Sequence, residues 1–181
     1  IQARLGFLLL LIALAPDGLE PLGGYPGNDD DGKIMQRSLD RSKLSIDMLN
    51  SAKHVKSHAL SNGKLGATGF CYGGAVVNAL AVQMGAELNA GAPFYGRAPK
   101  SEDVAKIKAS LVINLADDDP RTNAGQPGYK AALEANRVNF EMHTYPGTRH
   151  GFHNTSTPRF NEAQANIAWD RTIALFKKSL A

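Results

Sequence analysis

Lys64-Leu65-Gly66-Ala67-Thr68-Gly69-Phe70, then Cys71-Tyr72-Gly73-Gly74, then the small-residue run from Ala75 to Met84, is the stretch on which the fold turns. The first segment reads as a short strand and the last as a helix. Between them, Gly69-Phe70-Cys71-Tyr72-Gly73 fits the pattern Gly-x-nucleophile-x-Gly, with Cys in place of Ser. Such a strand-to-helix turn holds the central residue in a strained backbone conformation, so its flanking positions must be small. Gly69 and Gly73 meet that demand, and Gly74 eases the start of the helix. The turn aims the helix N-terminus at Cys71, where the positive end of the dipole favours a thiolate. It also presents the Tyr72 backbone N–H as an oxyanion donor. A buried structural cysteine is the bland alternative. The strand before and the helix after weigh against it.

Outward from this turn, strands and helices alternate. Leu88 to Phe94 is a strand candidate. Ser110 to Ala116 is a clearer one, with Leu111, Val112, Ile113 and Leu115. From Val138 to Tyr145, apolar Val138, Phe140 and Met142 alternate with polar residues, as in a strand near the sheet edge. Gln126 to Asn136 is helical in character. A last helix starts near Asn161 and carries Trp169, Ile173, Phe176 and Leu180 on one face. An earlier one carries Leu44, Met48, Ala52, Val55 and Ala59, with Ser38 or Asp40 as its cap and Asn62-Gly63 as its stop. Asp17 to Lys33 reads as a long surface loop. This order predicts a mostly parallel sheet covered by helices, a three-layer α/β fold in one domain over residues 1–181.

Phe7 to Ala15 is an apolar run of nine residues, short of the about 20 that a membrane-spanning helix needs. Arg4 ahead of it and Ala13-Leu14-Ala15 at its end resemble a signal peptide, but Pro16 would follow the cut and no initiator Met precedes it. A buried parallel strand, ended by the turn Pro16-Asp17-Gly18, is the preferred reading.

Composition narrows the rest. The 181 residues are 43% hydrophobic and 20% charged, which excludes collagen-like, coiled-coil and disordered chains. The net charge is +3, yet the only adjacent Lys/Arg pair is Lys177-Lys178, so no basic stripe exists for nucleic acid. One cysteine excludes an internal disulfide framework and a Cys-cluster zinc site, and fits a reducing, cytoplasmic setting.

A thiol nucleophile needs a base, and the base needs an orienting group. Asp119 follows the strand ending at Ala116, and His150 follows the strand ending near Tyr145. The order Cys71, Asp119, His150 is the one such a turn expects. Asp119 is chosen from the run Asp117-Asp118-Asp119 because it sits deepest in the loop before Pro120; Asp118 is the fallback. His153 is placed to support His150 or to bind a metal. His54 and His58 lie one helical turn apart without a third ligand, and His143 reads as a surface residue. Asp29-Asp30-Asp31-Gly32 lacks the Glu that a calcium loop requires. No metal and no cofactor are expected. Arg97, Arg121 and Arg159 are candidates for holding a substrate carboxylate.

Gly69-Phe70-Cys71-Tyr72-Gly73-Gly74, Pro93-Phe94-Tyr95-Gly96-Arg97 and the stretch from Tyr145-Pro146-Gly147 through Arg149-His150-Gly151-Phe152-His153 together resemble the dienelactone hydrolase family. Ala13-Leu14-Ala15-Pro16-Asp17 also matches, so the resemblance covers nearly the whole chain. It implies an α/β-hydrolase fold and a carboxylic ester hydrolase acting on small esters or lactones, some bearing a carboxylate. It implies Cys71 as nucleophile, His150 as base and then acid, Asp119 as orienter, and Arg159, more than Arg97, as carboxylate partner. The family carries further strands ahead of Ala13, with a second oxyanion donor and a glutamate that helps control the thiol. Their absence leads to the expectation of a chain lacking its N-terminal strands, and of a homo-oligomer covering the bared edge. A catalytically weak remnant serving as a binding or structural module is the rival reading. A thiol redox protein is disfavoured by the lack of a second cysteine.

Overall fold

The computed structural model describes residues 11–181. Residues 11–63 and 64–181 are separate compact units.

The smaller unit holds α1 (Asp29–Ser38) and α2 (Arg41–Ser57). Asn28 caps α1 by accepting the Asp31 N–H at 2.9 Å, and Asp29, Asp30 and Asp31 fill its first turn, where the helix dipole favours acids. The acidic run is thus a helix start. The loop expected over Asp17 to Lys33 is interrupted by α1 and by a 3-10 turn at Glu20–Leu22. Asp40, one of the two expected caps, accepts the N–H groups of Ser42 and Lys43 and opens α2. That helix stops at Ser57, short of Asn62-Gly63, because His58 turns to extended backbone while its N–H bonds the Val55 carbonyl. Leu11 to Ala15 forms no strand, contrary to expectation, and Leu11, Ile12 and Leu14 are exposed. Phe7 to Leu10 lies outside the described residues. Apolarity suffices to bury a strand, but a strand exists only in a ladder, and residues 11–15 are assigned to none.

The larger unit is built on β1 (Gly66–Phe70), β2 (Ala90–Phe94), β3 (Ser110–Asp118) and β4 (Phe140–Arg149), side by side in chain order and all parallel. Parallel neighbours require crossovers. They are α3 (Tyr72–Met84), a 3-10 turn at Ser101–Lys106, and α4 (Pro120–Asn123) with α5 (Gln126–Ala135); α6 (Glu162–Leu180) follows β4. β2 shows the layering. All five of its residues are buried. Ala90 and Ala92 pack on Phe176 and Leu180 of α6, whereas a side chain at Gly91 would meet Val77 of α3. Alternate residues therefore face opposite helical layers, the signature of a strand covered on both sides. The expected three-layer α/β architecture is present. Among the described residues no helix is long and apolar enough to cross a membrane.

Buried polar groups fix the strand exits. Asn78 of α3 donates to the Arg97 carbonyl at 2.9 Å and accepts from the Tyr129 hydroxyl, and the Gln126 amide donates to the Gly96 carbonyl. The Tyr145 hydroxyl donates to Asn114 at 2.7 Å.

The first turn of α3 rides directly on the backbone leaving β2. A Cβ on Gly74 would stand 2.5 Å from the Phe94 carbonyl oxygen, while one on Gly73 would meet nothing within 4 Å. Gly74→Ala should therefore cost about 1–3 kcal/mol of unfolding free energy in urea titrations. Gly73→Ala should stay within about 0.5 kcal/mol of the parent.

Candidate active site

Cys71 joins β1 to α3 with φ 55° and ψ −114°, a conformation that L-residues rarely adopt. Its N–H donates to the Phe94 carbonyl at 3.1 Å, which ties the turn to the end of β2. A Cβ on Gly69 would lie 2.5 Å from the Gly73 carbonyl oxygen, so Gly69 must be glycine for the chain to double back. The expectation that Gly73 must also be small is corrected: its Cβ direction is open, and the demand falls on Gly74 instead. The Cys71 side chain is exposed. Tyr72 is the first residue of α3, at the helix's positive end.

The ladder between β3 and β4 sets the partners. Asp118 pairs with Arg149 in register, after a shift between Ala116 and Asp118. The next residue on each strand is Asp119 and His150. His150 Nδ1 lies 2.6 Å from Asp119 Oδ2, and His150 Nε2 lies 3.0 Å from Cys71 Sγ. Asp119 is 6% exposed, and its other oxygen accepts the Thr122 N–H as the cap of α4. Asp118, the fallback, points elsewhere, to Arg149 at 3.3 Å. Asp117 accepts the Gly147 N–H. The structure thus brings Cys71, His150 and Asp119 together.

Burial pushes the Asp119 carboxyl up, but hydrogen bonds from His150 and Thr122 outweigh it and leave the pKa below the usual carboxylate value. The bond to the Cys71 sulfur raises the His150 pKa; burial opposes this, and the bond to Asp119 adds to the rise.

Tyr95 is the residue that the sequence did not single out. It has φ 36°, is buried, and sets its ring 4.9 Å from the His150 ring. Burial, then the nearby Cys71, pushes its hydroxyl well above the ordinary tyrosine range, so the phenol is neutral. The Arg159 guanidinium lies over Gly151, next to His150, and near enough to Tyr95 to act on its hydroxyl. Arg97 and Arg121 are exposed, and among the described residues no hydrogen bond or ion pair joins the side chain of either to Cys71, Asp119 or His150. His153 packs among aromatic rings, with its pKa lowered by burial. His54 and His58 stack edge to face, and His143 bonds Glu141. Among the described residues no group of three His, Cys, Asp or Glu side chains is placed to hold a metal.

The Asp119–His150 contact carries a pH signature. A lowered carboxyl pKa adds stability that is present above about pH 3.9 and lost as pH falls through the folded value. A raised imidazole pKa adds stability that is complete below about pH 6.5 and lost as pH rises through the folded value. The excess melting temperature of the parent over Asp119→Asn should therefore peak between these limits and shrink on both sides in thermal scans across pH.

Comparison with known proteins places the chain in a family. The chain is 30% identical over 155 residues to a Saccharolobus solfataricus protein assigned as a carboxymethylenebutenolidase; the match covers 83% of this chain and 60% of that relative's length. It is 30% identical over 181 residues to the protein usf of Aquifex pyrophilus, covering 93% and 75%. Carboxymethylenebutenolidase 1 of Cupriavidus pinatubonensis is 23% identical over 150 residues, covering 83% and 64%. Among solved structures, a dienelactone hydrolase-like promiscuous phosphotriesterase from metagenomic libraries shares the fold with a TM-score of 0.71 at 19% identity, over 87% of this chain and 70% of that one. The model of the dienelactone hydrolase family matches residues 2–180, and the chain belongs to that family.

Proposed function

We propose that this chain hydrolyses ester or lactone bonds of small molecules, with Cys71 as nucleophile. One observation carries the reading: an unbroken contact from buried Asp119 through His150 to Cys71, at 2.6 and 3.0 Å. This is the arrangement that nucleophilic acyl transfer requires, a nucleophile on a base and the base on an orienting carboxylate. Membership of the dienelactone hydrolase family, and the carboxymethylenebutenolidase name of the Cupriavidus relative, support the substrate class.

The chemistry balances on these residues. Cys71 Sγ attacks the carbonyl carbon as its proton passes to His150 Nε2. The charge on the carbonyl oxygen is met by the Tyr72 N–H at the start of α3. His150 then gives the proton to the leaving oxygen, the C–O bond breaks, and a thioester remains on Cys71. Water attacks the thioester with His150 taking its proton, the C–S bond breaks, and the acid is released with the thiol restored. Asp119 holds the imidazole with Nε2 toward sulfur. Arg159 is the preferred partner for a substrate carboxylate, supported by its guanidinium lying beside Gly151 and acting on Tyr95, ahead of Arg97 and Arg121.

Hydrolysis of p-nitrophenyl acetate tests this. Cys71→Ala should lower kcat by about 10³-fold or more, and equal turnover by parent and variant would sink the reading. Asp119→Asn should lower kcat by about 10²–10⁴-fold with little change in KM.

A further inference from the structure

Beside the Cys71–His150 pair runs a strip of touching rings that the reaction above does not use. From His150 it passes to Tyr95 at 4.9 Å, to Phe70 at 6.2 Å, to His153 at 5.0 Å and to Trp169 at 5.7 Å, measured between ring centroids. Phe94 packs beneath it, 4.7 Å from Phe70 and 5.3 Å from His153. Two of its rings are open to solvent: Phe70 is 38% and Trp169 39% exposed. Single exposed apolar side chains are commonplace on protein surfaces. Here they are joined into one strip that begins at the candidate base and includes the residue immediately before the nucleophile.

We propose that this strip is the acyl-group subsite of the ester site and selects esters whose acyl part carries an aryl ring. The inference rests on the ester-hydrolase reading and extends it to substrate class. The acyl part is the half that stays bound to sulfur through both steps, and Phe70 adjoins Cys71 in the chain. Ring faces and edges offered at mutual tilts of 38° to 56° suit a further flat ring by offset or edge contact. The charges lie at the strip's His150 end, where Arg159 acts on Tyr95; its far end, Phe70, His153 with its pKa lowered by burial, and Trp169, offers apolar ring surface.

Trp169 is the sole tryptophan, which makes the strip report on itself. Cys71→Ala protein, which holds the ester uncleaved, is titrated with ethyl 3-phenylpropanoate and separately with ethyl acetate while Trp169 fluorescence is followed. The phenyl ester should give a saturable change at concentrations where ethyl acetate gives none. Phe70→Leu in the same background should weaken half-saturation about tenfold. No change with either ester, or the same change with both, overturns the proposal. In the active protein, Trp169→Leu should lower kcat/KM on p-nitrophenyl 3-phenylpropanoate about tenfold more than on p-nitrophenyl acetate, and equal losses on the two also overturn it. Turnover of neither ester by the parent would end the hydrolase reading, while the fluorescence titration still decides the subsite.

Discussion

The larger unit depends on one close approach, backbone against backbone, where α3 begins and β2 ends. Gly74 and Gly96 leave no room between them: a Cβ on Gly96 would come within 2.3 Å of the Gly74 carbonyl carbon. Contact at that range holds the first turn of α3 against the sheet. The Cys71 N–H can then reach the Phe94 carbonyl, and the chain enters the helix through a left-handed residue. Tyr95, the residue between Phe94 and Gly96, also has a positive φ, so two strained residues sit at the same seam, Cys71 bonded to the residue just before Tyr95. Strain of this kind persists where surrounding packing over-determines it. Here the surroundings are two glycines and a doubly covered strand.

Parallel pairing does the rest of the assembly. In a parallel sheet the strands end on one edge, and residues just past the ends of neighbouring strands emerge side by side. Asp118 and Arg149 are ladder partners, so Asp119 and His150 come together by register, without a long loop to search for the contact. The three consecutive aspartates consequently serve three partners: the Gly147 amide of β4, an arginine and the imidazole.

Much of this was legible in the chain because it is local. The glycine spacing around Cys71 marks the turn, apolar runs mark β2 and β3, and alternation of apolar with polar residues marks β4. The order nucleophile, acid, histidine follows from which strand precedes each residue. Asp119 was separable from Asp118 by position in the run, and the ladder explains why: β3 extends through Asp118. What was not legible depends on contacts distant in sequence. No pattern shows that the Tyr95 ring lies beside His150, or that Gly74 rather than Gly73 meets the Phe94 carbonyl. The Leu11 to Ala15 stretch misled for the opposite reason. Its composition suits a strand, but pairing is a property of two segments and cannot be read from one. At Asp29-Asp30-Asp31 the cap Asn28 and the acidic first turn were present in the sequence, and loop-like composition outweighed them.

The carboxylate of Asp119 divides its two oxygens between a helix and a ring. One caps α4 through Thr122; the other holds His150. The anchor of the imidazole is therefore itself anchored to the segment that follows β3. A change of length or backbone direction between Pro120 and Asn123 would turn the carboxylate, rotate the imidazole, and be felt at a sulfur nearly fifty residues earlier in the chain. Tolerance to insertion in that short helix is thus governed by the contacts running from Thr122 through Asp119 and His150 to Cys71 rather than by its place on the surface.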